Sequence, residues 1–256
     1  MAARDTGGDV GRRKLGFWRR FAVVLIKPVV TVWTRRTWLG AEELAREGGI
    51  IIVPNHLAPT DPIVSAHFIY DNGRWPQYLA KASLFRIPLM GAILHKVQQI
   101  PVERGSVEAA RSLDRLIAAL DAGGAVIIYP EGTITKEPQL WPMRGKTGAA
   151  RLALATGAPV IPLAMWGPQL MADPRGGGVN LRPRRPVTVA AGAPVDLSRW
   201  AGAQPTREVL EEMTDQIMLA VRDLLAEIRG ETPPPLWERP REDPRGEVGQ
   251  PQGGTA

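Results

Sequence analysis

The sequence predicts an α/β fold in which helices flank a mostly buried mixed sheet. Short β-rich runs bounded by turn residues alternate with helical patterns along the chain, which is typical of layered α/β folds. The chain has 256 residues, of which 44% are hydrophobic and 23% charged, enough to bury the core of one domain. We therefore expect one α/β domain over residues 39–229, between two segments of different composition.

Six strands and four helices are predicted within that domain. The strand candidates are 49–54, 77–80, 97–102, 125–129, 160–165 and 187–190. The helix candidates are 62–70, 106–122, 147–156 and 206–228. Residues 230–256 are rich in Pro and Gly and poor in apolar residues, so we predict a disordered tail there.

The first 38 residues carry most of the net charge. Residues 1–36 contain nine basic and two acidic residues, a net +7, while the whole chain is +6, so the remainder is near −1. The apolar stretch 21–33 is short and contains Lys27 and Pro28, whereas a membrane-spanning helix needs about 20 mostly apolar residues. We predict an amphipathic helix in a membrane interface, the alternative being a helix packed on the core with a solvated basic face. Aromatic and apolar residues among these charges favour anionic lipid over nucleic acid.

Several chemistries are excluded or unsupported. The sequence has no cysteine, which rules out disulfides, thiolate metal sites and cysteine nucleophiles, and its three His residues are too scattered to suggest a metal site. Gly145-Lys146-Thr147 resembles the end of a phosphate loop, but the motif requires Gly where Leu140 stands. Neither a dinucleotide-binding G-x-G-x-x-G after a strand nor a G-x-S-x-G nucleophile elbow is found.

The informative stretch follows the first predicted strand of the domain. Asn55 and His56 lie in a short loop at the end of that strand, and a helix begins near Asp61 and Pro62. His56 and Asp61 would point apart on a continuous helix, but Pro59 predicts a turn that lets them meet. A carboxylate that accepts from one imidazole nitrogen leaves the other free as a general base. The alternative is that Asp61 only caps the helix that starts at Pro62.

Four ordered blocks of sequence resemble a known family. The block 55–61, with His56 and Asp61 five residues apart, resembles the H-x-x-x-x-D motif of the glycerolipid acyltransferases, typified by the 1-acyl-glycerol-3-phosphate acyltransferases. The blocks 99–105, 129–133 and 160–163 are similar to its other three motifs, in the family's order. The resemblance covers about residues 49–166.

The resemblance implies direct acyl transfer from acyl-CoA or acyl carrier protein to the free hydroxyl of 1-acyl-glycerol-3-phosphate, which gives phosphatidic acid. No further cofactor, metal or acyl-enzyme is implied. His56 would be the base and Asp61 the residue that holds its tautomer. Acceptor-binding roles are implied for Asn55, Lys81, Arg104, Glu131, Gly132 and Thr133. Arg144 and Lys146 are further phosphate-ligand candidates, or else a solvated basic patch.

One departure from the family pattern bears on the acceptor. The third block usually continues with Arg and Ser, whereas this chain has Ile134 and Thr135. A different acceptor, such as a glycolipid or another lyso-lipid, is therefore the nearest alternative. A non-catalytic membrane or lipid binding module is a more distant one.

We expect the protein at the cytoplasmic face of the cell membrane, peripheral or monotopic. Its expected partners are the lipid surface, the acyl donor and the lyso-lipid, and nucleic acid is not among them.

Overall fold

The computed structural model describes residues 16–102 and 106–238. Its strands are β1 (Thr34–Leu39), β2 (Ile50–Pro54), β3 (Pro76–Lys81), β4 (Ile100–Val102), β5 (Ala125–Ile127), β6 (Val160–Trp166) and β7 (Arg185–Ala191). Its α-helices are α1 (Phe17–Trp33), α2 (Asp61–Asp71), α3 (Ala82–Phe85), α4 (Met90–Lys96), α5 (Ser106–Asp121), α6 (Gly148–Thr156) and α7 (Arg207–Arg229). The expected α/β class is confirmed.

The described strands form one mixed sheet in the order β1-β7-β6-β2-β5-β3-β4. The run from β6 to β4 is parallel throughout, whereas β7 is antiparallel to β6 and β1 is parallel to β7. The carboxyl ends of β6, β2, β5, β3 and β4 therefore meet at one edge of the sheet. Ligand sites of open α/β sheets lie outside this edge.

Strand β2 crosses the centre of the core, and its apolar run explains why. Ile51 and Val53 pack in the cluster that includes residues of α5, α6 and α7, while Ile50 and Ile52 pack in the cluster on α2. All four are fully buried. Successive side chains of a strand point to opposite faces, so an uninterrupted apolar run suits a strand covered by helices on both sides.

The boundaries at both ends differ from those expected. Residues 34–38, assigned from sequence to the N-terminal segment, belong to β1, which pairs with β7 from Thr34 to Leu39. Residues 230–238, assigned to the tail, include Trp237, whose carbonyl accepts a hydrogen bond of 2.9 Å from the Arg144 N–H. The rest of the predicted tail, 239–256, lies outside the described residues, as do residues 1–15.

Helix α1 has the amphipathic character expected of residues 17–33. Its only buried residue is Val30, and it packs on α2 while many of its apolar side chains remain exposed. None of the helices in the described ranges is long and apolar enough to cross a membrane.

Candidate active site

Asn55 fixes the start of the loop that follows β2. Its Nδ2 donates to the Met165 carbonyl at 3.0 Å, and its Oδ1 accepts from the Met165 N–H at 2.8 Å. The residue is 1% exposed. Both groups of its amide tie the loop to β6, and the acceptor-binding role implied for Asn55 stays a prediction.

His56 and Asp61 meet at the carboxyl edge of the sheet. The His56 Nδ1 lies 2.8 Å from the Asp61 Oδ2, as the turn at Pro59 predicts. The imidazole is 18% exposed and the carboxylate is fully buried. Among the described residues, no hydrogen bond involves the His56 Nε2. The ring therefore presents one nitrogen to solvent and the other to a buried acceptor.

The surroundings of Asp61 explain how the pair is held. Its Oδ2 also accepts from the backbone N–H groups of Leu57 and Ala58, in the loop before the helix. The cap residue of α2 is Thr60, so Asp61 is the first helical residue and not the cap. Burial raises the pKa of Asp61 above its ordinary value of 3.8, and the hydrogen bonds from His56, Ala58 and Leu57 oppose this rise.

This arrangement selects one tautomer of His56. An oxygen that accepts from two backbone N–H groups has its lone pairs directed at donors, so the His56 Nδ1 carries the proton and donates the third hydrogen bond. The lone pair of neutral His56 is then on Nε2, which is the nitrogen left open. A general base needs this combination of a fixed tautomer and an accessible lone pair.

Glu131 holds the backbone of the loop and does not reach into open space. Its Oε1 accepts from the His56 N–H at 2.9 Å and its Oε2 from the Met143 N–H at 3.1 Å. The residue is 2% exposed. Its carboxylate is thus a buried link between the loops after β2 and β5, and the acceptor contact implied for Glu131 stays a prediction. The Thr135 N–H adds a second link by donating to the His56 carbonyl at 2.8 Å.

A buried cluster of hydroxyl groups lies behind the pair and was not predicted from sequence. The Ser65 Oγ donates to the Asp61 carbonyl at 2.8 Å and lies 2.8 Å from the Tyr78 Oη and 3.1 Å from the Tyr129 Oη. The Tyr129 ring packs on the His56 imidazole with centroids 4.6 Å apart. Burial raises the pKa of both tyrosines, so they remain neutral donors. The only sequence signal was the spacing of Ser65, one turn after Asp61.

Gly132 and Thr133 form a turn that approaches Lys146. Gly132 has a φ of +67°, and its N–H donates to the Tyr129 carbonyl at 3.1 Å. A Cβ atom at Gly132 would lie 3.1 Å from the Lys146 Nζ, so glycine allows the lysine to cross the turn. Within the described part of the chain, the exposed Lys146 ammonium has no ion-pair partner, and Thr133, the residue after Gly132, is half-buried.

The second basic candidate, Arg144, is already neutralised. Its guanidinium donates to both oxygens of Asp215 on α7 and to Glu238 at 2.8 Å. The carboxylate of Asp215 raises the pKa of Arg144 above its ordinary value. The structure therefore separates two residues that the sequence grouped together, since only Lys146 is left available to bind an anion.

Two other predicted residues are placed only in part. Lys81 ends β3 and pairs with Val102, which puts its backbone at the carboxyl edge of the sheet. Arg104 lies outside the described residues.

In the ranges 16–102 and 106–238, no group of three or more His, Asp or Glu side chains is arranged to hold a metal ion.

Comparison with known proteins gives consistent matches. The chain is 31% identical to the 1-acyl-sn-glycerol-3-phosphate acyltransferase of Borreliella burgdorferi over 128 residues, which are 50% of this chain and 49% of that one. The chain thus spans about half the length of that relative. It is 28% identical to the Bacillus subtilis protein of the same name over 183 residues, 72% of this chain and 84% of that one.

A solved structure has the same fold. The crystal structure of the 1-acyl-sn-glycerophosphate acyltransferase from Thermotoga maritima matches with a TM-score of 0.59 and 19% identity, covering 84% of this chain and 83% of that one. A family model described as Acyltransferase matches residues 35–166, which is more than half of the chain and includes His56, Asp61 and Glu131. The chain therefore belongs to the acyltransferase family.

Proposed function

We propose that this protein transfers a fatty acyl group from a thioester, acyl-CoA or acyl carrier protein, to the free hydroxyl of 1-acyl-glycerol-3-phosphate, so that phosphatidic acid is formed. The observation that carries the proposal is the His56 and Asp61 pair, joined at 2.8 Å with the Nε2 atom of His56 left open. The names of the Borreliella and Bacillus relatives support the choice of acceptor.

The geometry suits a single displacement. His56 Nε2 removes the proton from the acceptor hydroxyl, and the resulting alkoxide oxygen attacks the thioester carbonyl. The tetrahedral intermediate collapses, the C–S bond breaks, and the thiolate takes the proton back from His56 to leave as a free thiol. An acyl-enzyme is not part of this scheme, which agrees with a sequence that lacks cysteine. General-base help contributes on the order of 10² to 10⁴ in rate, so positioning and oxyanion stabilisation supply the rest.

Lys146 is our candidate for the acceptor phosphate. Its ammonium lies against the turn at Gly132. Gly132 directly follows Glu131, whose carboxylate accepts from the His56 N–H. A phosphate monoester needs a cation near the reacting hydroxyl, and a lysine binds phosphate as a point charge. The sequence suggested both Lys146 and Arg144 as phosphate ligands, and we now assign this role to Lys146 alone.

An apolar cavity on the α2 side of the sheet suits an acyl chain. It measures about 250 Å³ and lies between α1 and α2, with walls that include Val23, Ile26, Val30 and Ile63. Pro62 also lines it and follows Asp61 in the chain. A long apolar chain placed there would reach the residue that follows Asp61.

A second acceptor remains a candidate because of Ile134. The half-buried isoleucine stands where the family pattern has Arg, which removes a cation from the turn that carries Gly132. The same chemistry on a glycolipid or another lyso-lipid would need fewer phosphate contacts at this position.

Membrane association follows from the product, which has two acyl chains and does not dissolve in water. We assign the anchor to α1, whose exposed apolar side chains include Phe17, Val24 and Val29, flanked by basic residues. We place the protein, peripheral or monotopic, on the cytoplasmic face of the membrane. The lipid surface, the acyl donor and the lyso-lipid would then be its partners, and nucleic acid would not.

The test is an assay of purified protein with a long-chain acyl-CoA and lysophosphatidic acid, in which free thiol release is followed for the wild type and for His56→Ala. We expect release that depends on the acceptor and is lost in the variant. Activity only with a glycolipid or other lyso-lipid would replace the acceptor assignment. Thiol release that His56→Ala leaves unchanged would disprove the base assignment, and a protein silent with every acceptor and donor would support a binding module.

A further inference from the structure

We propose that the α3–α4 segment, residues 82–96, is a second membrane-docking element, which together with α1 seats the edge of the sheet that carries His56 on an anionic lipid bilayer. The inference deepens the membrane association proposed above and rests on it. It concerns a part of the chain that charge and hydropathy did not single out.

The α3–α4 segment exposes apolar side chains that the core does not use. They are Leu84, Ile87, Leu89, Met90 and Ile93. Leu89 is the most exposed, at 74%, and it occupies a tight turn with a φ of +64°, closed by a hydrogen bond of 2.8 Å from the Met90 N–H to the Pro88 carbonyl. A positive φ costs a leucine conformational free energy. Because the Leu89 side chain is exposed to solvent, packing contacts do not offset this cost. Insertion of the turn into lipid would bury this side chain.

The exposed side chains of this segment lie beside those of α1. Helix α1 packs on α4, and the Lys96 ammonium lies 4.1 Å from the centre of the Trp18 ring. On α1 the exposed apolar residues are Phe17, Phe21, Val24, Leu25, Ile26, Val29 and Val32. Exposed apolar patches of this extent mark a membrane or protein interaction surface in soluble proteins.

The sheet topology puts one end of each element at the edge that carries the His56–Asp61 dyad. The α3–α4 segment follows β3, whose carboxyl end lies at the same edge as the ends of β2 and β5 because these strands are parallel. Strand β1 runs the opposite way, since it is parallel to β7 and β7 is antiparallel to β6. The end of α1, which leads directly into Thr34, therefore also lies at this edge.

The charges of the two elements favour anionic lipid as the occupant. Residues 16–36 contain five basic residues and no acidic one, and residues 81–102 contain Lys81, Arg86 and Lys96 and again no acidic one. A bilayer with anionic headgroups attracts basic residues at its surface while it accepts the apolar side chains between them. The interface cores of protein complexes are instead depleted in lysine.

The absence of cysteine allows a direct test on the full chain. Single cysteines would be introduced as Ile87→Cys and Met90→Cys in the segment, as Val24→Cys on α1, and as Leu39→Cys for the control, each labelled with a polarity-sensitive fluorophore. Ile87, Met90 and Leu39 are exposed to similar extents, 48%, 47% and 47%. Leu39 lies on β1 at the opposite lateral edge of the sheet from β4, and it faces away from Trp38, which packs on α2.

Vesicles of phosphatidylcholine with phosphatidylglycerol would then be added. We expect blue-shifted emission at positions 24, 87 and 90, quenching there by nitroxide-labelled lipid, and no change at position 39. A shift at 24 alone would overturn the inference and leave the α1 anchor standing. If the probes at 87 and 90 respond to protein concentration without vesicles, the segment is a protein interface and the inference is wrong. Because the readout is fluorescence, a failure of the acyltransferase assay does not affect it.

Discussion

The backbone N–H of His56 donates a hydrogen bond of 2.9 Å to the side chain of Glu131, 75 residues further along the chain. The second oxygen of the same carboxylate accepts from the Met143 N–H. Glu131 thus sets the position of the imidazole through its backbone, while Asp61 sets its tautomer through the ring.

Glu131→Gln is expected to reduce both stability and kcat. The amide offers one acceptor where the carboxylate offers two, so a buried backbone N–H loses its partner at a cost of about 1 to 3 kcal/mol in unfolding free energy. Urea unfolding and thiol-release kinetics would measure the two effects. Glu137→Gln is the control for removing a buried charge, because the Glu137 Oε2 accepts from the N–H groups of both Gln139 and Trp141, contacts that one amide oxygen can keep, and not from His56. Equal kcat values for the two variants would contradict the positioning role.

Asp61→Asn is expected to lower kcat by about 10²- to 10⁴-fold with a small change in KM, because a neutral amide does not stabilise the positive charge that His56 gains when it removes the proton. Asp71→Asn provides the control on the same helix, where the carboxylate pairs with Lys27. Full activity in Asp61→Asn, measured by thiol release under saturating acceptor, would remove the dyad from the mechanism.

Lys146→Gln is expected to raise KM for lysophosphatidic acid by roughly 10- to 100-fold, which corresponds to the loss of one hydrogen bond to a charged group. The KM for monoacylglycerol, which lacks the phosphate, should stay unchanged. Lys146→Arg should retain most of the affinity. Arg144→Gln, whose native side chain is paired with Asp215 and Glu238, should leave KM unaltered. If Arg144→Gln raises KM and Lys146→Gln does not, the two assignments are reversed.

His67 gives stability a pH dependence. Burial lowers the pKa of His67 below its ordinary value of 6.5, and Asp71 opposes this while Arg36 and Lys27 add to it. The unfolded chain therefore binds more protons than the folded one just below pH 6.5, so stability falls as pH falls through that window. In His67→Gln this part of the slope should vanish, because the amide does not titrate and its oxygen can still accept from Arg36. If the free energy of unfolding changes with pH in the same way in the wild type and in His67→Gln, the role of His67 is refuted.

Val24→Asp on α1 is expected to move the protein from the membrane fraction to the soluble fraction at moderate salt, because a carboxylate replaces an apolar side chain that is 73% exposed. Leu39→Asp changes the net charge equally and should stay with the membrane. Point variants are preferable to removal of residues 1–38, which would delete most of β1 and disturb the sheet. An unchanged membrane fraction in Val24→Asp would contradict the anchor.

The strands that the sequence predicts well are those with buried apolar runs. Strand β2 lies within one residue of its predicted bounds. Exposing the apolar side chains of Ile50 to Val53 to water would cost free energy, so this run predicts a buried strand. Strand β1 was missed because the sequence Thr-Arg-Arg-Thr-Trp-Leu belongs to an edge strand with alternate residues exposed, and its charges resemble the basic segment before it.

The site was predictable in its side-chain chemistry but not in its backbone contacts. The spacing of His56 and Asp61, together with Pro59, allowed the two side chains to meet, and the resemblance to the H-x-x-x-x-D motif favoured this pair over a helix cap at Asp61. The family resemblance implied acceptor contact for Asn55 and Glu131, and nothing in a sequence reveals that they also bind the backbone groups of Met165 and Met143. A polar side chain that hydrogen-bonds the backbone of a distant segment can be recognised only once the fold is known.

The links that hold the His56 loop also decide when it can form. The Glu131 contact spans 75 residues and the two Asn55 contacts span 110, so both require the closure of long loops before they exist. On a ribosome, the chain up to Asp61 already contains both members of the dyad, but β5 and β6 have yet to be made. The geometry of the imidazole is therefore a late product of folding, and a nascent or partly folded chain holds the residues of the candidate site without their arrangement.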